Sequence, residues 1–191
     1  LDFRRLEPRR VLNASFTLAG GDLTLFDFLS SPGVPDLTVE YNGGIGAYEF
    51  TLSSGTWSGA ANPAVTIAGG TLTVAQAALT GFLDINSLLA TDVLFDGNFT
   101  AAINPIDDIK VDTLGDVSNN AGTALNVASF SVANSASIDL GRNIGDSLNF
   151  GTLNFNSAGN AFITEQSDMT VVGTNSALDA KLTANGAGSD I

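Results

Sequence analysis

Hydrophobic residues in this chain come in short alternating groups, with chain-turning residues between them. The clearest stretch is 147–191, where Leu148, Phe150, Leu153 and Phe155, then Phe162 and Ile163, then Met169, Val171 and Val172 are set among Asn, Ser, Gly, Thr and Asp. A period of two bounded by such residues reads as half-buried strands. From Ile106 onward the text also repeats: segment starts at Leu125, Leu148 and Met169 lie 23 and 21 residues apart. A period in the twenties with short strands and polar corners predicts an all-β fold, with coils of a right-handed parallel β-helix over 106–191. One coil cannot bury its inward Leu, Val and Phe side chains alone. Stacked coils can, and each backbone edge then pairs with the next.

The first half carries a different signal. Residues 16–25 (FTLAGGDLTL) recur as 65–74 (VTIAGGTLTV), each reading as two strands around an Ala-Gly-Gly turn. Asn42-Gly43 between the alternating runs 36–41 and 48–52 is a further hairpin signal. The pattern therefore predicts hairpin-rich capping strands over 16–105, with a β-sandwich as the alternative for this half. Residues 74–89 are ambiguous: apolar positions 74, 78, 82, 85 and 89 have helical spacing, but Gly81 and the lack of a cap oppose a helix. Residues 1–15 read as a separate N-terminal arm or sorting segment.

Composition narrows the class of role. Only 14% of residues are charged, so the polar surface must be built from Asn, Thr, Ser and Gly. The net charge is −13, and its distribution is uneven. Four of the seven basic residues (Arg4, Arg5, Arg9, Arg10) fall in the first ten positions; beyond them Lys110, Arg142 and Lys181 face 18 acids, a net of −15. Such a field repels nucleic acid and anionic lipid. The chain has neither cysteine nor histidine, which removes disulfides, the usual zinc sites and Cys/His nucleophile pairs. No apolar run approaches the ~20 residues of a membrane-spanning helix. Starting on Leu1 and stopping at Ile191 in strand-like text, the chain reads as part of a longer polypeptide.

Two stretches resemble known families. Leu6-Glu7-Pro8-Arg9-Arg10-Val11-Leu12-Asn13-Ala14 resembles the LEPR-XLL segment near the start of large exported proteins of planctomycete bacteria, departing from it at Val11 and Asn13. Residues 106–191, most clearly 150–159 and 162–165, resemble the repeats of filamentous-haemagglutinin and autotransporter-like surface proteins. These resemblances imply a secreted or cell-surface protein and say nothing of catalysis.

Candidate chemistry is sparse. Asp107, Asp108, Asp112 and Asp116 cluster, with Asp92 and Asp96 nearby, and carboxylates suit Ca²⁺. No calcium-loop motif accompanies them, and an acidic strand face is the plainer reading; no other cofactor is implied. Trp57, Tyr41 and Tyr48 offer a stacking platform for a sugar, against the alternative of core packing. A polysaccharide-active enzyme would need Asp139, Arg142, Asp179 and Lys181, or at least two of them, to converge in a groove. Asn13-Ala-Ser15 and Asn98-Phe-Thr100 have the form of glycosylation sequons but are expected by chance in so Asn-rich a chain. The expectation is a non-catalytic stalk, spacer or adhesion module that meets surface or matrix glycans or proteins, with a secreted enzyme or calcium-dependent sugar-binding module as the alternative.

Overall fold

The structure, a computed structural model, describes residues 13–28, 37–102 and 106–186. Residues 6–12 of the LEPR-like segment lie outside them, and its last two, Asn13 and Ala14, open the first strand. The first half holds β1 (Asn13–Ala19), β2 (Asp22–Phe26), β3 (Leu37–Asn42), β4 (Ala47–Leu52), β5 (Thr56–Gly59), β6 (Val65–Ala68), β7 (Thr71–Ala75), β8 (Phe82–Asn86) and β9 (Val93–Gly97). The second half holds β10 (Asp108–Asp112), β11 (Asp116–Asn119), β12 (Ala124–Ser135), β13 (Ser137–Leu140), β14 (Ser147–Ser157), β15 (Ala161–Glu165) and β16 (Ala180–Ala184). Among the described residues the only helical elements are short 3₁₀ turns at Gln76–Ala78 and Phe99–Ala101. The all-β expectation is borne out.

Strands alternate between two sheets. Sheet A has the order β14-β12-β10-β8-β2-β1-β5, and sheet B the order β16-β15-β13-β11-β9-β3-β4-β7-β6. Each coil gives one strand to A and the next to B, and successive coils pair in parallel, forming a β-solenoid of about four turns in the second half. The parallel stack also takes in β2 on β8 and β3 on β9. Between β3 and β8 the chain departs into β4 to β7: β4, β6 and β7 extend sheet B in antiparallel pairs, while β5 pairs in parallel with β1 at the edge of sheet A.

The two Ala-Gly-Gly segments form the hairpins β1–β2 and β6–β7, with Ala19 opposite Asp22 and Ala68 opposite Thr71. Two-residue loops need a left-handed residue to match strand twist, and Gly20 (φ 66°), Gly21 (φ 97°) and Gly69 (φ 59°) supply it. Over 74–89 the strand period prevails. Leu83 and Ile85 point into the core at 0% exposure while Phe82 points out, so β8 adds to sheet A and the helical spacing leaves only the 3₁₀ turn.

Coil stacking places like residues in inward rows. In sheet A, Leu23, Leu83, Ile109, Phe130 and Leu153 succeed one another, as do Leu25, Ile85, Val111, Val132 and Phe155. In sheet B, Leu37, Val93, Val117, Ile138 and Ala161 form one row. An aromatic spine threads the interior: Phe99 to Phe95 at 6.2 Å, Phe95 to Phe130 at 5.7 Å and Phe130 to Phe150 at 4.6 Å between ring centroids. Burying each such side chain stabilises the fold by roughly 2 kcal/mol.

Candidate functional site

The acidic cluster does not converge. Asp107 and Asp108 are exposed where β10 begins, whereas Asp112 and Asp116 lie on either side of the following corner. Asp112 Oδ1 accepts from Asn134 Nδ2 (2.8 Å), and Asp116 Oδ1 accepts from Ser137 Oγ (2.7 Å), each across to the next coil. These carboxylates act as rungs between coils. Among the described residues no three acids or other ligating side chains come together in a way that could hold a metal ion.

The three aromatic candidates are core residues, which takes them out of contention as a surface platform. Tyr41 (7% exposed), Tyr48 (0%) and Trp57 (5%) sit where β3, β4 and β5 cover the end of the stack. The Trp57 indole N–H donates to the Phe50 and Gly70 carbonyls, both at 2.9 Å, and its ring meets Phe28 edge-on. Tyr41 O–H donates to Gln76 Oε1 at 2.7 Å. Burial pushes the Tyr48 hydroxyl up to about 12, with the Ile106 backbone pulling weakly the other way. The Asn98 side chain of the second sequon accepts from Thr100 N (3.1 Å) and Thr100 Oγ1 (2.7 Å), capping a 3₁₀ turn.

The residues that do converge are Arg142 and Lys181. Parallel register sets Asp139, Phe162 and Lys181 side by side on the outer face of sheet B, one from each of three successive strands. Arg142, in the corner after β13, folds back over this row. Its Nη1 donates to both Asp139 oxygens (3.1 and 3.2 Å), and the guanidinium lies 4.7 Å above the Phe162 ring. Arg142 and Lys181 both line one cleft of about 370 Å³, opening along the corner where three coils leave sheet B. Asp179 is not among its lining residues, although its backbone carbonyl ties it to Ala161 N at 2.8 Å.

The floor of this cleft is a buried polar network that sequence reasoning missed. Asp146 Oδ1 accepts from Gly122 N (3.0 Å), and its Oδ2 accepts from Asn143 N (2.8 Å) and Asn119 Nδ2 (2.8 Å). Asn119 Oδ1 in turn accepts from Gly141 N at 2.8 Å. Asn119 stands in the inward row beside Phe95, where a hydrophobe would be expected, and every polar atom of its side chain has a partner. Gly141 has φ 72°, and a Cβ there would run into the Thr164 carbonyl; only glycine permits the corner. The one signal in the sequence is the break in alternation at 141–146, GRNIGD.

Behind the cleft lies Glu165. It points inward at 0% exposure, and its Oε1 has no hydrogen-bond partner among the described residues. Burial raises its pKa to about 7, against weaker opposing hydrogen bonds from the Phe150 amide and the Ser167 hydroxyl. At the far end of sheet B, Glu40 lies in register with both Glu49 and Asp96. Partial burial, then the Asp96 and Glu49 charges, holds the Glu40 carboxyl above the usual carboxylate range. A second groove of about 370 Å³ crosses the outer face of sheet A beside Phe82 and the Asp84–Lys110 ion pair. Compared with protein-family models, with curated proteins and with solved structures, the chain matches none.

Proposed function

We propose that this chain is a non-catalytic structural and adhesive segment of a larger exported bacterial surface protein, serving as stalk, spacer or adhesion module. The observation that carries the reading is the continuity of the stack. Inward rows and outward rungs repeat from coil to coil, so stiffness is built into every layer. The low charged fraction and the polar corners rich in Asn, Ser and Thr suit display outside the cell. The LEPR-like head and the haemagglutinin-like repeats point the same way. Partners on this reading are glycans or proteins of a cell surface or matrix, and nucleic acid is disfavoured by the charge.

The test is fractionation of the source bacterium with an antibody to residues 106–191. Recovery in the surface or secreted fraction, with loss on external protease treatment, is expected; confinement to the cytoplasm rejects the reading.

One observation favours a second reading. Arg142 and Lys181 share a cleft, with Asp139 paired to Arg142 beside it, and this meets the minimum demanded of a polysaccharide-active enzyme. Incubation with acidic and neutral polysaccharides, followed by an assay for new reducing ends, distinguishes the two. Turnover that disappears in Arg142→Gln supports the enzyme; no turnover on any polymer rejects it.

A further inference from the structure

The cleft at Arg142 and Lys181 has a charge unlike that of the rest of the molecule. Residues 11–191 carry a net charge of −15 with only three cations, yet two of the three line this one cleft. Among the described residues a single carboxylate, Asp146, also lines it. Both of its oxygens already accept hydrogen bonds, three in all, from Gly122 N, Asn143 N and Asn119 Nδ2, so it serves as an internal anchor. Glu165 sits between the lining residues Thr164 and Gln166 but faces the core.

The cations are presented for use. Arg142 spends one nitrogen, Nη1, on Asp139, and a guanidinium carries five N–H donors. Its seat over the Phe162 ring holds the group in place, and its remaining donors have no hydrogen-bond partner among the described residues. Lys181 makes no ion pair among the described residues. The rest of the wall is neutral and hydrogen-bonding. The side chains of Thr164, Thr183, Gln166 and Asn185 line the cleft and have no hydrogen-bond partner among the described residues.

We propose that this cleft binds a carboxylate-bearing sugar, with Arg142 and Lys181 on the carboxylate and the threonine, glutamine and asparagine side chains on the ring hydroxyls. A bare inorganic anion would satisfy the cations and leave that polar wall unused. A neutral sugar would use the wall and leave Lys181 and the remaining Arg142 donors unmatched. About 370 Å³ admits a monosaccharide unit with its neighbours running out along the corner. The assignment gives the adhesive reading a ligand class and rests on that reading for where the ligand is met. Fractionation tests the setting and calorimetry the ligand, so either fails without the other.

The experiment is titration calorimetry of the purified chain with a glucuronic-acid-containing oligosaccharide and with its methyl ester, which keeps the ring and removes the charge. The acid form is expected to bind about tenfold or more tightly than the ester, and Arg142→Gln and Lys181→Gln each to lose about tenfold, as charge-assisted hydrogen bonds imply. Lys110→Gln, a cation on the outer face of sheet A, is expected to leave affinity unchanged. Circular dichroism melts matching the parent show that the variants fold. Equal binding of acid and ester, or an equal loss in Lys110→Gln, overturns the site. Binding of free sulfate or acetate as tight as the oligosaccharide overturns the sugar assignment.

Discussion

The hairpins β1–β2, β3–β4 and β6–β7 and the coils β8 to β16 solve the same problem in different ways: how to turn a strand without leaving backbone groups unpaired. In the hairpins the turn is local, and the backbone itself does the work through glycines in left-handed conformations. In the coils, partners are about 18–26 residues apart, as between Leu83 and Ile109 or Leu153 and Val171. There the corners are tied by side chains reaching to the coil above or below. Thr113 Oγ1 donates to Thr91 O (2.6 Å), Asn120 Nδ2 to Asp96 Oδ2 (2.8 Å) and Asn134 Nδ2 to Asp112 Oδ1 (2.8 Å). Hairpins therefore stand on conformational preference, and coils on rows of packed and hydrogen-bonded side chains. The cleft belongs to the second system: it is one of these corners, widened.

The largest test of that contrast is core truncation. Phe130 lies at 0% exposure in the middle of the aromatic spine, and Phe130→Ala is expected to cost about 3–5 kcal/mol in chemical denaturation. Ile67, in the β6–β7 hairpin, is 43% exposed, and Ile67→Ala is expected to change stability by less than about 0.5 kcal/mol. Comparable losses at the two sites would show that the hairpins are as deeply integrated as the coils.

Next comes a charge in the coil interior. The folded Glu165 carboxyl holds its proton up to about pH 7, above its ordinary value of 4.5. The folded state therefore binds more protons than the unfolded state between those values, and stability falls as pH rises through that window. A shift of this size corresponds to about 3 kcal/mol. Glu165→Gln removes the ionisation, so the variant should match the parent near pH 4.5 and exceed it by about 3 kcal/mol at pH 8 in urea titrations. An unchanged difference between the two pH values would mean that Glu165 is already charged and solvated when folded.

How much of this was legible depends on where each partner lies along the chain. The Gly-Gly and Asn-Gly turns could be read because both strands of each hairpin sit within a few residues of the turn. The coil period could be read where corners keep their length: Leu125 does pair with Leu148, 23 residues on. It slipped at the next coil, where Leu153 meets Val171 after only 18, because a shorter corner changes the interval without disturbing the inward row. Trp57, Tyr41 and Tyr48 lie near one another in the sequence, but which way a ring faces depends on sheets assembled from distant segments. Asp139 with Arg142, and Asp179 with Lys181, stood out as local pairs. The joining of Arg142 to Lys181 did not, since it requires three strands in register. Asn119 and Glu165 occupy positions that alternation reserves for hydrophobes, and only their partners, or the lack of one, explain them.

The corner network can be challenged directly. Asp146→Ala would leave the Gly122 and Asn143 amides and Asn119 Nδ2 without their acceptor, a loss of about 2–3 kcal/mol. Asp146→Asn keeps two acceptor lone pairs and is expected to recover part of that. Full stability in the alanine variant would show that water replaces the carboxylate freely, and the contrast between side-chain corners and backbone turns would weaken.

The smallest effect separates the two systems most sharply, because both use a left-handed residue. Gly20 (φ 66°) turns the first hairpin and Asn134 (φ 59°) turns a coil corner. Gly20 has open space around its Cα, so Gly20→Ala meets no clash and reports only the conformational penalty, about 1 kcal/mol. Asn134→Gly relieves the same penalty while removing the bond to Asp112, and the two should nearly cancel, leaving a change within about 0.5 kcal/mol. Asn134→Ala both keeps the strained backbone and loses the rung, so it should be the worst of the three by thermal or urea melts. If Asn134→Gly proved clearly stabilising, the rung would contribute little, and the coil corners would be held by their backbones in the same manner as the hairpins.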